Sequence, residues 1–114
     1  MQTLIALLSL VLLVSTSPAA FAQAFPTRPV TIVVPFPAGG TTDVLARALA
    51  EKLTQSLGQT VIVESKPGAG ATLGADYVAK AKPDGYTLLV GAVHHTIASA
   101  VYKKLPYDLQ KDLR

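Results

Sequence analysis

The chain has 114 residues, half of them hydrophobic, with a formal net charge of +3 and no cysteine. Without cysteine there can be no disulfide framework, no thiolate metal site and no lipid-modified cysteine anchor. Basic residues, among them Arg28, Arg47, Lys52, Lys66, Lys80, Lys82, Lys103 and Lys104, are scattered without interleaved aromatics, so no nucleic-acid surface is expected.

The first segment reads as a targeting signal. Leu4 to Val14 is an apolar run too short to span a bilayer, and Ser15 to Pro18 interrupts it. Ala20-Phe-Ala22 then fits the small-x-small pattern for cleavage before Gln23. Met1-Gln-Thr3 has no Lys or Arg, so only the amino terminus supplies the positive end. Residues 1–22 are therefore expected to be a secretory signal peptide. Residues 23–114 would follow as a mature exported segment, large enough for one small core and with no stable membrane insertion after cleavage.

Val30 to Val34 is a β-branched run of the kind buried on both faces of a parallel sheet. Pro35 and Pro37 end it, because proline cannot donate a ladder hydrogen bond. Gly39-Gly40 permits a tight turn, and Thr41, Thr42 and Asp43 suit a helix start. Leu45, Leu49 and Leu53 then repeat along one helical face. A strand, a glycine turn and a helix in this order aim free N–H groups and the positive helix end at one place, which suits an anion.

Gly58 fits the end of that helix, and Thr60 to Glu64 reads as a second strand. Ser65 to Ala71 is a Gly/Pro loop, and Thr72 is placed to cap a helix through Lys82, with Leu73, Val78 and Ala81 as its apolar positions. Pro83-Asp-Gly85 is a stop and turn, followed by a third strand from Tyr86 to Val90. A short helix is expected over Ile97 to Tyr102. The fold class is thus α/β: a βαβαβ three-layer parallel sheet with the first strand central. All three strand-to-helix loops would meet at the carboxyl ends of the strands, where such sheets bind ligands.

Four stretches, in this order, carry a resemblance. They are Val33-Val-Pro-Phe-Pro-Ala-Gly-Gly-Thr-Thr-Asp43, Val61-Ile-Val-Glu-Ser-Lys-Pro-Gly-Ala-Gly70, Lys82-Pro-Asp-Gly-Tyr-Thr-Leu-Leu-Val-Gly91 and Leu105-Pro-Tyr-Asp-Leu-Gln-Lys-Asp112. Together they resemble the substrate-binding proteins of tripartite tricarboxylate transporters, the Bug-type periplasmic receptors. The resemblance implies a partial first lobe of a type II periplasmic-binding-protein-like fold. In that family the first loop holds a ligand carboxylate largely through backbone donors, a role that falls here on Gly39, Gly40 and Thr41, with Phe36 beside them. Asp43 matches an acidic position, read as capping or bracing the helix start rather than touching the anion. Ala69 and Gly70 would let a ligand approach the second loop, and Thr96 would donate a hydroxyl hydrogen bond from the third. Ser65 departs from the asparagine often found there.

Other constellations are weaker. Gly68-Ala-Gly70-Ala-Thr-Leu-Gly74 hints at a dinucleotide loop, but its third glycine falls one position late for G-x-G-x-x-G. His94 and His95 are adjacent, so their side chains are expected to diverge and not to chelate a metal; no metal or cofactor is implied. The leading expectation is a receptor that traps a small carboxylate and presents it to membrane permease subunits, with no covalent chemistry. Alternatives are a small secreted enzyme using His94 or His95 as a base, and a non-functional remnant. The resemblance runs to Arg114 inside a motif that precedes the family's hinge, so the chain is expected to be a truncated lobe, marginally stable and weakly binding.

Overall fold

A computed structural model of the chain describes residues 24–113. The expected signal peptide and its cleavage point lie outside the described residues. Three strands form one parallel sheet in the order β2-β1-β3: β1 is Val30–Val34, β2 is Val61–Ser65 and β3 is Thr87–Leu89. Val30 stands opposite Val61 and Val34 opposite Ser65, while Thr31 faces Thr87 and Val33 faces Leu89. The βαβαβ order with a central first strand is as expected.

The β-branched run explains this centre. Val30, Ile32, Val33 and Val34 are all buried, and Val30, Ile32 and Val34 form one core cluster with Ala46, Ala50 and Val61. Burying a side chain such as Ile32 contributes about 1.5–3 kcal/mol. Strand β3 is shorter than the expected Tyr86–Val90. Val90 still donates its N–H to Val33 O at 3.0 Å, so the ladder outlasts the regular strand.

Helix α1, Thr41–Leu57, packs on β1 and β2. Gly58 closes it in a left-handed conformation, with its N–H on Thr54 O. Of the leucine stripe only Leu53 packs against the core cluster. Leu45 is 65% exposed and Leu49 48%, whereas Asp43, Ala46 and Ala50 are buried. Small residues let the helix axis approach the sheet, and the leucines lie one position round the helix.

Helix α2, Thr72–Lys80, ends two residues before the expected Lys82 and contacts β1 and β3. Its buried residues are Thr72, Gly74 and Ala75, whereas Leu73, expected on the apolar face, is 54% exposed. Thr72 is not the cap: Ala71 occupies that position, and the Thr72 hydroxyl donates to Ala69 O at 2.6 Å. Gly74 explains the odd glycine spacing of this segment. A Cβ there would lie 2.7 Å from Pro35 Cβ and 2.9 Å from both Lys66 O and Pro35 Cα. The glycine serves helix-to-strand contact, not a nucleotide. Helix α3, His94–Val101, starts three residues earlier than expected, bringing both histidines onto its first turn.

Candidate functional site

The loop after β1 is held from inside. Gly39 adopts φ +85°, a region that favours glycine, and donates its N–H to Asp43 Oδ2 at 2.9 Å. Arg47 Nε reaches the same oxygen at 2.9 Å, and Ser65 Oγ donates to Asp43 Oδ1 at 3.1 Å. Asp43 is only 2% exposed. Hydrogen bonding from Arg47, then from the Gly39 N–H, and to a lesser degree from Ser65, holds its carboxyl below the ordinary value; burial opposes this. With both oxygens engaged, Asp43 ties the loop, α1 and the end of β2 together.

This arrangement changes the donor set. The Gly39 N–H is occupied by Asp43, and the Gly40 N–H donates to Pro37 O at 3.3 Å. Neither glycine therefore offers the open N–H expected of it. The N–H groups of Thr41, Thr42 and Asp43 have no partner among the described residues. These are the first-turn donors of a 17-residue helix, where partial positive charge collects. Gly40 is the N-cap, and no side chain caps the helix from that position. Arg47 neutralises Asp43, so the carboxylate leaves this end attractive to an anion.

The second loop contains three successive residues with left-handed backbone: Ala69 at φ 48°, Gly70 at 61° and Ala71 at 67°. For alanine this conformation costs about 1–2 kcal/mol per residue. The third loop supplies the compensating contacts. His94 Nε2 lies 3.0 Å from Gly70 O, and His95 Nε2 lies 3.3 Å from Ala71 O. His95 Nδ1 lies 3.1 Å from both the N and the O of Ala92, so both ring nitrogens are engaged by backbone groups.

The two imidazoles do not diverge. Their planes lie 12° apart with centroids 4.8 Å apart, and Phe36 packs edge-on against His94 at 5.0 Å and His95 at 6.0 Å. Stacking follows because both rings reach back to consecutive carbonyls of one tight turn. Phe36, Gly70, His94 and His95 thus join the three loops, with Ala69 at the start of the same turn.

Thr96 lies elsewhere. Its hydroxyl donates to Val93 O at 2.5 Å, so the expected donor is already used. It lines a neighbouring cleft of about 470 Å³ with Ser99, Tyr102, Lys103, Tyr107 and Asp108. Lys66 sits 4.2 Å over the Tyr77 ring and 3.6 Å from Glu64. Among the described residues no three His, Cys, Asp or Glu side chains gather as metal ligands, and no helix is long and apolar enough to cross a membrane.

Sequence reasoning missed Arg47 and Tyr102, and marked Ser65 only as a departure from asparagine. The i,i+4 spacing of Asp43 and Arg47 was a usable signal for the first. Ser65 meets Asp43 across 22 positions, and the Tyr102 hydroxyl would lie 2.8 Å from a Cβ on Gly70; no local pattern marks either.

Known proteins share this framework. Residues 45–114 match the family described as Tripartite tricarboxylate transporter family receptor, TctC. A UPF0065 protein of Bordetella bronchiseptica is 51% identical over 108 residues, covering 94% of this chain and 32% of the relative. The solved structure of periplasmic binding protein BugD superposes with a TM-score of 0.71 at 50% identity, covering 74% of this chain and 28% of that one. MatC from Rhodopseudomonas palustris with bound malate gives 0.73 at 48% identity, over 77% and 30% respectively. The chain therefore spans about a third of the length of the relatives it matches. The matched family consists of solute-binding receptors rather than enzymes, and BugD is named as a periplasmic binding protein. With more than half of its residues inside the family match, the chain belongs to the tripartite tricarboxylate transporter family receptors.

Proposed function

We propose that residues 23–114 form a partial N-terminal lobe of a periplasmic receptor, exported by a cleaved signal over residues 1–22. The lobe holds one carboxylate of a small solute and, in the full-length receptor, presents it to membrane permease subunits. No bond is made or broken; binding rests on donors fixed before the solute arrives. One observation carries the reading: Asp43 is fully engaged by Gly39, Arg47 and Ser65, while the N–H groups of Thr41, Thr42 and Asp43 remain open at the positive end of α1. Phe36, Ala69 and Gly70 form the adjoining walls. Malate bound to MatC supports a small carboxylate as the solute class.

An isotope-labelled chain titrated with malate, citrate and glutamate tests this by amide chemical shifts. The expected result is saturable movement of the Thr41, Thr42 and Asp43 amides. With one lobe touching the solute, Kd should be in the millimolar range, near about −4 kcal/mol. No movement of these amides, or equal movement with sodium chloride at matched ionic strength, would refute the reading.

A further inference from the structure

We propose that His94 selects solutes that carry a hydroxyl in addition to their carboxylate, favouring hydroxy acids over their deoxy counterparts; this rests on the carboxylate-receptor reading above. The argument starts from Gly70 O, 3.0 Å from His94 Nε2. A carbonyl oxygen only accepts, so Nε2 must carry a proton. In the neutral ring this leaves the lone pair on Nδ1, which has no partner among the described residues. The ring is also held in place. It stacks on His95 at 4.8 Å and takes the Phe36 edge at 5.0 Å, so Nδ1 is a preset acceptor rather than a rotating hydroxyl.

Position gives the acceptor its meaning. Phe36 belongs to the first loop, Gly70 to the second and His94 to the third, so His94 sits where the loops join. Several polar groups of these loops are already committed, namely both nitrogens of His95, both oxygens of Asp43 and the Gly39 N–H, whereas the Thr41 and Thr42 hydroxyls lie at the carboxylate end of the site. A carboxylate has no proton to give Nδ1, whereas a hydroxyl does. Covering Nδ1 with a solute that cannot donate would strip the nitrogen of water without replacing its hydrogen bond. Sites built around a substrate hydroxyl reject analogues lacking it for this reason. His94 is only half-buried, so the discrimination is expected to be about tenfold rather than the far larger factors of sealed sites.

The test compares malate with succinate, which differ by one hydroxyl, on the isotope-labelled chain in slightly alkaline buffer. Affinities are read from the Thr41 and Thr42 amides, and the His94 ring nitrogens are followed directly. Malate should bind about tenfold tighter than succinate, and only malate should shift the Nδ1 resonance. His94→Gln, whose amide N–H can still reach Gly70 O but whose remaining acceptor is displaced from the Nδ1 position, should reduce the preference. Equal affinities, an unchanged preference in His94→Gln, or a free protein with its ring proton on Nδ1 would each overturn the proposal. That last readout needs no variant. Succinate binding reports separately on the parent reading: if it binds as well as malate, only the His94 proposal falls, and if neither binds, both fall.

Discussion

Replacing Gly74 by alanine sets two effects of known sign against each other. Alanine is the better helix former, by about 1 kcal/mol in a helix interior. Its methyl group, however, would stand 2.7 Å from Pro35 Cβ and 2.9 Å from Pro35 Cα and Lys66 O. Carbon atoms rest at roughly 3.5–4.0 Å, so the first contact is short by nearly an ångström. Two of the three obstructing atoms are backbone, at the end of β1 and the start of the second loop, and cannot rotate away. Overpacking of this kind costs typically about 1–3 kcal/mol. With the clash near the top of that range, the propensity gain leaves a net loss of about 1–2 kcal/mol. For a domain of this size the thermal midpoint should fall by roughly 5–15 °C, read by far-ultraviolet circular dichroism. Loss of the cooperative transition would be the same result in stronger form. A midpoint equal to or above that of the parent chain would refute the claim that α2 and the end of β1 meet through this glycine.

Further predictions concern the first loop and the core. Gly39→Ala meets no atom within 4 Å, so its cost is conformational: φ +85° should make it about 1–2 kcal/mol less stable, measured from the urea midpoint. An unchanged midpoint would mean the loop adopts another conformation. For Asp43 the folded carboxyl titrates below its ordinary value of 3.8, so its stabilisation is present above that value and is lost as pH falls through the lower folded value. Asp43→Asn should flatten the stability–pH curve on the acid side of 3.8; a curve as steep as the parent's would count against the brace. Tyr107 is buried with no hydrogen-bond partner for its hydroxyl among the described residues, and burial pushes that phenol up. An unsatisfied buried polar group costs about 1–3 kcal/mol, so Tyr107→Phe should be neutral or stabilising, and a lowered thermal midpoint would contradict it.

The strands and their order were legible because β-branched runs and Gly/Pro breaks are local signals, and a short parallel sheet has few arrangements. Which face of α1 meets the sheet was not. Leu45 and Leu49 share a stripe, but so do Ala46 and Ala50 one residue on, and periodicity alone cannot rank two adjacent stripes. The site was legible as a place rather than as a set of bonds. The strand–glycine–helix order located the positive end of α1, yet which N–H groups stay open depends on Asp43 turning back to Gly39. The histidine pair was illegible for a similar reason. Its geometry is dictated by the carbonyls of Gly70 and Ala71, 24 positions earlier.

On the proposed carboxylate reading, the bracing of Gly39 by Asp43 has a consequence for rates. A loop already tied to its own helix and to Ser65 does not have to order itself around an incoming solute, so encounter requires no slow folding step. Differences among solutes should then appear in how long each one stays, with arrival rates nearly common to all. Cutting the tie would reverse that division: association would slow for every carboxylate alike, while residence times would keep their order.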